Sequence, residues 1–332
     1  MSEVNASGHT APGRGSHGLP RAGAATLPDN LKIAVLMGGP GSEREISLAS
    51  GKAVLRALVD AGLDAEAVDV KDADFVLPEG TGLAFNVIHG TFGEDGQLQA
   101  ILEERGIPYT GAGSKSSAVA FDKSQAKAKF LEAKVPTPAS EIIDVSGGVK
   151  MPEMALPYVV KAPCQGSSVG VHIVKDLSAA EAAMADAAKY GDEILVEQFV
   201  KGRELTVAVV DDAAMPIVEI VPPDGVYDMA SKYPWLSGSV GSQYFCPAAL
   251  EDEEVKVVQE AALAAHRSLG VEIYSRVDVL LDDEGRPFVL EANTIPGMTE
   301  TSLLPKSAAA SGMDFTALCI KISELSLGLG KR

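Results

Sequence analysis

The chain has 332 residues, of which 46% are hydrophobic and 22% charged, a composition typical of a folded protein with two or three compact units. Its 46 acidic and 28 basic residues give a formal net charge of −18, which repels a nucleic-acid backbone, so we expect no nucleic-acid partner. No apolar run approaches the roughly 18 residues that a membrane span needs, which argues against a membrane protein.

The cysteines and the first 30 residues carry little signal for function. Cys164, Cys246 and Cys319 are far apart, which favours neither a disulfide framework nor a zinc site. Residues 1–30 are rich in glycine and proline and lack the apolar segment of a secretory signal, so we interpret them as a disordered tail. A transit peptide stays open as an alternative, and the cytoplasm is the expected location.

Helices and strands alternate from residue 31 to about residue 118, which predicts an α/β unit with a doubly wound parallel sheet. Ser42 and Glu45 have the spacing of a capping box at the start of the first helix. The predicted strands are 32–37, 65–70 and 83–88, and the predicted helices begin near residue 42 and cover 97–105.

Between residues 119 and 200 the predicted strands cluster instead of alternating with helices, which indicates an α+β unit. We expect one continuous helix over 117–133 and a second over 179–189. The predicted strands lie near residue 142 and at 158–161, 172–174 and 194–199.

The rest of the chain is predicted to contain strands at 205–210 and 216–221, a helix over 252–269, and a hairpin of 276–281 and 287–291. Residues 222–247 have no regular pattern but carry several aromatic side chains. Irregular segments of this length inside a compact domain are usually lids, binding loops or disorder, and the aromatic content favours a lid.

The hairpin carries a candidate metal site made of Asp278, Glu291 and Asn293. Glu291 and Asn293 share one face of an extended strand, and Asp278 is expected on the facing strand. Carboxylate and amide oxygens suit Mg²⁺, which typically takes one or two carboxylates together with substrate phosphates. The alternative is a solvated hairpin with acidic ends, although the apolar neighbours of both carboxylates predict burial.

Lys161 ends an apolar strand and leads into the small-residue loop 164–170. Such a loop brings backbone N–H groups close to phosphate oxygens, and the lysine adds a positive charge. An ordinary turn between two strands is the alternative, and Lys123 is by itself a solvated helix lysine.

Glu43 and His89 are two further candidates for binding a ligand. Glu43 lies in the first turn of a predicted helix, where it either caps the helix or binds a ligand ammonium group. His89 follows the third strand, and a binding role and a structural role are both open. His172 and His266 fall inside a strand and a helix, so we interpret them as structural.

Seven motifs in order across residues 31 to about 320 resemble the D-alanine–D-alanine ligases, which are ATP-grasp enzymes. They are Met37-Gly38-Gly39 with residues 42–47, residues 89–96, residues 161–170, Lys232-Tyr233, residues 244–248, residues 275–278, and residues 291–299.

The resemblance implies three domains, at residues 31–118, 119–200 and 201–332, with a lid at 222–247 and ATP held between the last two. It also implies the roles of the candidate residues. Lys123 and Lys161 match phosphate ligands, Glu197 and Glu204 match adenine and ribose contacts, and Asp278, Glu291 and Asn293 match magnesium ligands. Glu43, supported by Ser167 and Tyr233, matches the residue that binds the ammonium group of the first D-alanine, and His89 matches a histidine on the substrate side. Ser302 and Lys232 match the residues that bind the carboxylate of the second D-alanine. Arg276 and the Gly297 N–H match the groups that stabilise the oxyanion.

The implied reaction joins two D-alanine molecules through an acyl phosphate, at the expense of ATP, for peptidoglycan precursor synthesis. Mg²⁺ or Mn²⁺, two ions in number, and a homodimer are further implications of the resemblance. Two rival interpretations stay open, namely another ATP-grasp carboxylate–amine ligase and an ATP-binding regulator without catalysis. Gln165 stands where some members have glutamate, which leaves the charge beside Ser167 open.

Overall fold

The structure is a computed structural model that describes residues 27–166, 169–223, 227, 229–232 and 238–330. Most of the predicted tail, residues 1–26, lies outside these described residues. None of the helices in the described ranges is long and apolar enough to cross a membrane.

The N-terminal sheet has three parallel strands, in agreement with the alternation of the sequence. Its strands are β1 (Lys32–Gly38), β2 (Asp64–Val70) and β3 (Thr81–Asn86), with β1 in the centre. Two helices connect to it, α1 (Arg44–Asp60) and α2 (Gln97–Glu104). Val35 packs in one core with Leu58 of α1, whereas Leu36 packs in another with Leu98 of α2. Alternate residues of β1 therefore meet helices on opposite faces of the sheet.

The predicted capping box at α1 is wrong. The N-cap residue is Glu43, and its side chain makes no capping hydrogen bond. Ser42 is consequently one residue too early to reach the amide at the third helical position. The Glu43 carboxylate instead lies against Gly90, where an added Cβ would be 2.4 Å from Oε2. The glutamate side chain is thus directed towards the end of the sheet.

The continuous helix predicted over 117–133 is also wrong, because two helices occupy this region. They are α3 (Ser114–Phe121) and α4 (Lys123–Glu132). Asp122 between them has extended backbone angles, and its carboxylate accepts hydrogen bonds from the backbone amides of Ser124 and Gln125. Asp122 therefore ends one helix and caps the next.

A four-stranded antiparallel sheet follows, as the clustering of strands predicts. Its elements in chain order are β4 (Ser140–Asp144), β5 (Tyr158–Lys161), β6 (His172–Val174), α5 (Leu177–Ala187) and β7 (Glu193–Gln198). The strand order is β4-β7-β5-β6. Val160 and Val196 pack against Ala180 and Met184, so α5 covers one face. The other face stays available for the site.

The third sheet is antiparallel and has six strands. Its elements are β8 (Gly202–Val210), β9 (Ala213–Ala214), β10 (Val218–Val221), α6 (Met229–Lys232), β11 (Gln243–Phe245), α7 (Asp252–Ser268), β12 (Tyr274–Asp282) and β13 (Pro287–Asn293). The order is β11-β10-β8-β12-β13, with β9 paired to β8. The predicted hairpin corresponds to β12 and β13. Helix α6 and strand β11 fall within the segment that was expected to be irregular.

The last two helices, α8 (Leu303–Ala310) and α9 (Phe315–Gly328), were not predicted from the sequence. Leu318 and Ile322 of α9 are fully buried in the same hydrophobic cluster as Val35 and Leu58. The C-terminal end of the chain therefore covers the N-terminal sheet, on the same face as α1.

Candidate active site

The candidate site residues that the structure describes line two adjoining cavities. The larger, of about 1050 Å³, lies between the central and C-terminal sheets. The smaller, of about 340 Å³, lies between the start of α1 and residues 295–306. Tyr227, Lys232 and Glu291 line both cavities. The larger cavity is also lined by Lys123, Lys161, Glu197, Glu204 and Asp278, and the smaller by Glu43, His89, Arg276, Asn293, Gly297 and Ser302.

The hairpin brings the candidate metal ligands together, as the two-residue periodicity predicts. Asp278 and Glu291 are direct partners across β12 and β13. The Asn293 side-chain amide donates to Asp278 Oδ2 at 3.3 Å. Thr206 Oγ1 on β8 donates to Asp278 Oδ1 at 2.6 Å. Two carboxylates and an amide oxygen form a hard donor set that fits Mg²⁺, although the described residues include no group of three or more His, Cys, Asp or Glu that could hold a metal ion.

Lys123 neutralises Glu291 across the larger cavity. Its Nζ lies 3.1 Å from Glu291 Oε2 and donates to the Gln165 carbonyl at 2.7 Å. Burial raises the pKa of the Glu291 carboxyl, but Lys123 and then Lys232 outweigh burial and lower this pKa to about 2. Glu291 is therefore an anion at neutral pH and available to a cation.

Glu197 is buried between two lysines. It forms ion pairs with Lys127 of α4 and with Lys161 at the end of β5. Burial opposes ionisation of Glu197, yet the two lysines lower its pKa. Lys127 was not among the predicted site residues, although its position one helical turn after Lys123 places it on the same helix face.

Glu204 lines the larger cavity from β8. Unlike Glu197, it forms no ion pair with a lysine or arginine among the described residues. Burial first, and then the Asp278 carboxylate, raise its pKa to about 7, while Lys232 opposes the shift. Glu204 thus changes protonation near neutral pH and suits a hydroxyl donor better than a phosphate.

His89 is held by two hydrogen bonds in the smaller cavity. Its Nδ1 lies 2.7 Å from the Ile295 carbonyl and its Nε2 lies 2.9 Å from Ser50 Oγ. The carbonyl only accepts, so Nδ1 carries the hydrogen and Nε2 accepts from the Ser50 hydroxyl. Burial lowers the pKa of His89, which favours this neutral form.

Gly297 and Ser302 lie side by side at the far wall of the smaller cavity. Ser302 is the N-cap residue of α8, and its Oγ accepts from the Thr299 amide at 3.1 Å. An added Cβ at Gly297 would lie 2.9 Å from Ser302 Oγ. A side chain at 297 would therefore crowd the hydroxyl and the helix N-terminus, which together suit an anionic group.

Glu94 also lines the smaller cavity, although the sequence analysis gave it no role. One of its carboxylate oxygens accepts from the Gly90 amide at 3.0 Å. Burial and then the Glu43 carboxylate raise the pKa of Glu94 to about 8. The motif that contains His89 was the available signal for it.

Lys232 lies where the two cavities meet, with its Nζ 4.4 Å from the centre of the Tyr227 ring. Cation–π contact of this kind holds an ammonium group over an aromatic face. Two further predicted site residues, Ser167 and Tyr233, lie outside the described residues.

The histidines that were interpreted as structural have partners within the fold. His172 Nε2 lies 2.8 Å from Asp186, and His266 Nδ1 lies 2.8 Å from Ser275 Oγ. His266 is buried, whereas His172 is partly exposed at the wall of the larger cavity. The three cysteines are free thiols.

Comparisons with known proteins agree on one family. Residues 62–112 match the family model described as D-ala D-ala ligase N-terminus, and residues 145–324 match the model described as D-ala D-ala ligase C-terminus. The chain is 47% identical over 294 residues to the D-alanine–D-alanine ligase of Methylacidiphilum infernorum, covering 89% of this chain and 95% of the relative. It is 43% identical over 299 residues to that of Bordetella petrii, covering 88% and 90%.

A solved structure supports the same assignment. The D-alanine–D-alanine ligase from Bacillus anthracis complexed with ATP is 29% identical and superposes with a TM-score of 0.77, covering 91% of this chain and 99% of that one. The identity to the curated relatives extends over most of both chains. The chain therefore belongs to the D-alanine–D-alanine ligase family.

Proposed function

We propose that this chain joins two D-alanine molecules into D-alanyl-D-alanine, with conversion of ATP to ADP and phosphate, for peptidoglycan precursor synthesis. The observation that carries the proposal is the contact between the cavities. Lys232 and Glu291 line both, so a phosphate donor in the larger and an amino acid in the smaller would meet there.

The first step activates a carboxylate, which is a poor electrophile. The carboxylate of the first D-alanine attacks the γ-phosphorus of ATP, and ADP leaves as an acyl phosphate forms. Lys123 and Lys161 are proposed to bind the phosphates, and Glu197 and Glu204 the adenine and the ribose. The basic side chains on the cavity wall would stabilise the charge of the transferring group.

In the second step, the amine of the second D-alanine attacks the acyl carbon after losing a proton, and phosphate leaves. Arg276 and the Gly297 N–H are proposed to stabilise the oxyanion that develops. Ser302 and Lys232 are proposed to bind the acceptor carboxylate. Glu43, with Ser167 and Tyr233, is proposed to bind the ammonium of the first D-alanine, and His89 to contact it.

Asp278, Glu291 and Asn293 would hold Mg²⁺ or Mn²⁺, two ions by the family pattern. The metal would neutralise phosphate charge. Arg276 contacts the Asp278 carboxylate and Lys123 contacts the Glu291 carboxylate, which orients both proposed ligands. Acyl phosphates hydrolyse readily, so exclusion of water by residues 222–247 is part of the proposal.

We also propose that the chain forms a homodimer and is located in the cytoplasm. Its proposed domains are residues 31–118, 119–200 and 201–332. Light scattering coupled to gel filtration tests the dimer through the measured mass. A mass near 34.5 kDa in solution would contradict the dimer.

The decisive experiment measures phosphate release from ATP with D-alanine, L-alanine or no amino acid, with Mg²⁺ and with EDTA. We expect release with D-alanine and Mg²⁺, a D-alanyl-D-alanine mass in the product, and recovery of the EDTA-treated sample when Mg²⁺ or Mn²⁺ is added. Equal release with L-alanine would favour another carboxylate–amine ligase. Binding of ATP without any release would favour the regulator.

A further inference from the structure

A buried carboxylate with two lysine partners stands at the inner wall of the larger cavity. Glu197 is 1% exposed, Lys127 3% and Lys161 9%. Both lysines form ion pairs with Glu197, one to each carboxylate oxygen. The cluster carries two positive charges and one negative charge, one cation more than neutralisation of Glu197 requires.

The two lysines differ in how the rest of the protein holds them. Lys127 Nζ also donates to Thr137 Oγ1 at 2.6 Å and to the Pro138 carbonyl at 3.2 Å, so the fold uses all three of its hydrogens. Thr137 is itself fixed, because its hydroxyl donates to the Val289 carbonyl at 2.7 Å. Lys127 of α4 is thereby held to Thr137 and, through Thr137, to the C-terminal sheet.

Lys161 faces the space that the proposed function gives to ATP. Lys161 and Glu197 line the larger cavity, whereas Lys127 is not among the described residues that do so. Among the described residues, the acidic partner of Lys161 is Glu197. Lys161 can therefore bind a phosphate only by sharing or leaving this carboxylate.

Leaving a buried carboxylate without a cation is strongly unfavourable, because burial removes the water that would otherwise solvate its charge. With Lys127 in place, Glu197 keeps a charged partner when Lys161 moves. Without Lys127, the buried pair of Glu197 and Lys161 would have to separate for Lys161 to bind phosphate. Adenosine has no phosphate to draw Lys161 away, so Glu197 keeps the Lys161 charge when the nucleoside binds, and we expect the loss of Lys127 to act mainly on ligands that carry phosphates.

We propose that Lys127 is a positioning residue that neutralises Glu197 and so releases Lys161 to the phosphates of ATP. This inference rests on the proposed function, in which Lys161 is a phosphate ligand. It gives the third charged member of the cluster a role in nucleotide affinity that does not require contact with the nucleotide.

The test compares ATP with adenosine by calorimetry, with Mg²⁺ and without D-alanine, on the full chain. K127M should weaken ATP binding about tenfold or more, because the neutral side chain leaves Glu197 dependent on Lys161. Adenosine binding should change less than about threefold. K127R retains the charge and should bind ATP within about threefold of the wild type.

The second comparison is made in the E197Q background, so it does not depend on whether the K127M single variant folds. Once the carboxylate is gone, K127M/E197Q should bind ATP within about threefold of E197Q, since Lys127 acts through that charge. Equal losses for ATP and adenosine in K127M, or an equal K127M loss in both backgrounds, would overturn the proposal. Wild-type phosphate release with D-alanine, run alongside, reports separately on the proposed function.

Discussion

Arg276 and Asp278 form a bidentate ion pair on one face of β12, with 3.0 Å between Nε and Oδ1 and 2.9 Å between Nη2 and Oδ2. Asp278 lines the larger cavity and Arg276 the smaller. Burial opposes the charge of Arg276, but the Asp278 carboxylate raises its pKa above the ordinary value. One rigid pair thus connects the proposed metal site with the proposed oxyanion site.

Arg276→Ala should lower kcat by roughly 100-fold or more, the usual loss when a group that stabilises an oxyanion is removed. Steady-state kinetics with varied D-alanine at saturating ATP measures it. Arg286→Ala is the matched control, because Arg286 lies in the turn of the same hairpin and is exposed. A change confined to the KM for ATP would place Arg276 in nucleotide binding.

Glu291→Gln should lower turnover by roughly 100-fold or more, since it removes one of two anionic ligands of the proposed metal site. The variant should also need more Mg²⁺ for half-maximal rate, which a Mg²⁺ titration at fixed ATP measures. Glu284→Gln, at the exposed turn of the hairpin, is the control. Near-normal turnover at saturating ATP and Mg²⁺ would remove Glu291 from the metal site.

The hairpin shows what the sequence could predict. The sequence predicted two strands with Asp278 on the strand that faces Glu291, and in the structure these two residues are direct partners. The two strands are a local feature, but the register shifts by one residue between Asp278 and Val279, and without this shift the turn would place Asp278 opposite Leu290. The break between α3 and α4 at Asp122 was not predicted. A single residue with extended backbone angles between two helical segments leaves the helical pattern of the sequence almost intact.

Contacts between distant parts of the chain were beyond the sequence. Lys127 lies on α4, which packs in the same hydrophobic cluster as the C-terminal sheet, yet it meets Glu197 of the central sheet, and nothing in the spacing of 70 residues indicates this contact. In the same way, α9 covers the N-terminal sheet from the opposite end of the chain. A helical pattern identifies an apolar face but not the surface that it meets.

Gly51→Ala should destabilise the fold by about 1 kcal/mol, although alanine is the better helix former by about 1 kcal/mol. Gly51 is buried in α1, and an added Cβ would lie 2.4 Å from Met37 Cβ on the adjoining strand. That atom cannot move without the backbone of β1, so overpacking outweighs propensity. Denaturant unfolding measures the effect, and Gly328→Ala in α9, with open space around it, should be neutral or stabilising.

His266 should make the fold sensitive to acid. Burial lowers its pKa to about 4, against an ordinary value of 6.5, so the folded state favours the neutral ring. The stabilisation is complete above pH 6.5 and is lost as the pH falls towards 4, amounting to about 2 kcal/mol lost by pH 5. His266→Gln should remove this part of the pH dependence, measured as the free energy of unfolding at pH 7.5 and 5. An equal change in the free energy of unfolding between these two pH values in the wild type and the variant would contradict this prediction.

Glu94 should act in the opposite direction, because burial and the Glu43 carboxylate raise its pKa to about 8. The folded state then holds a proton that the unfolded chain releases near pH 4.5, so stability falls as the pH rises from 4.5 to 8. Glu94→Gln cannot ionise and keeps an oxygen for the Gly90 amide. Without substrates, the variant should gain at least about 1 kcal/mol relative to the wild type between pH 5 and 8. Urea unfolding at both pH values measures this gain, and an unchanged difference between the two proteins would show that Glu94 is ionised in the folded state throughout.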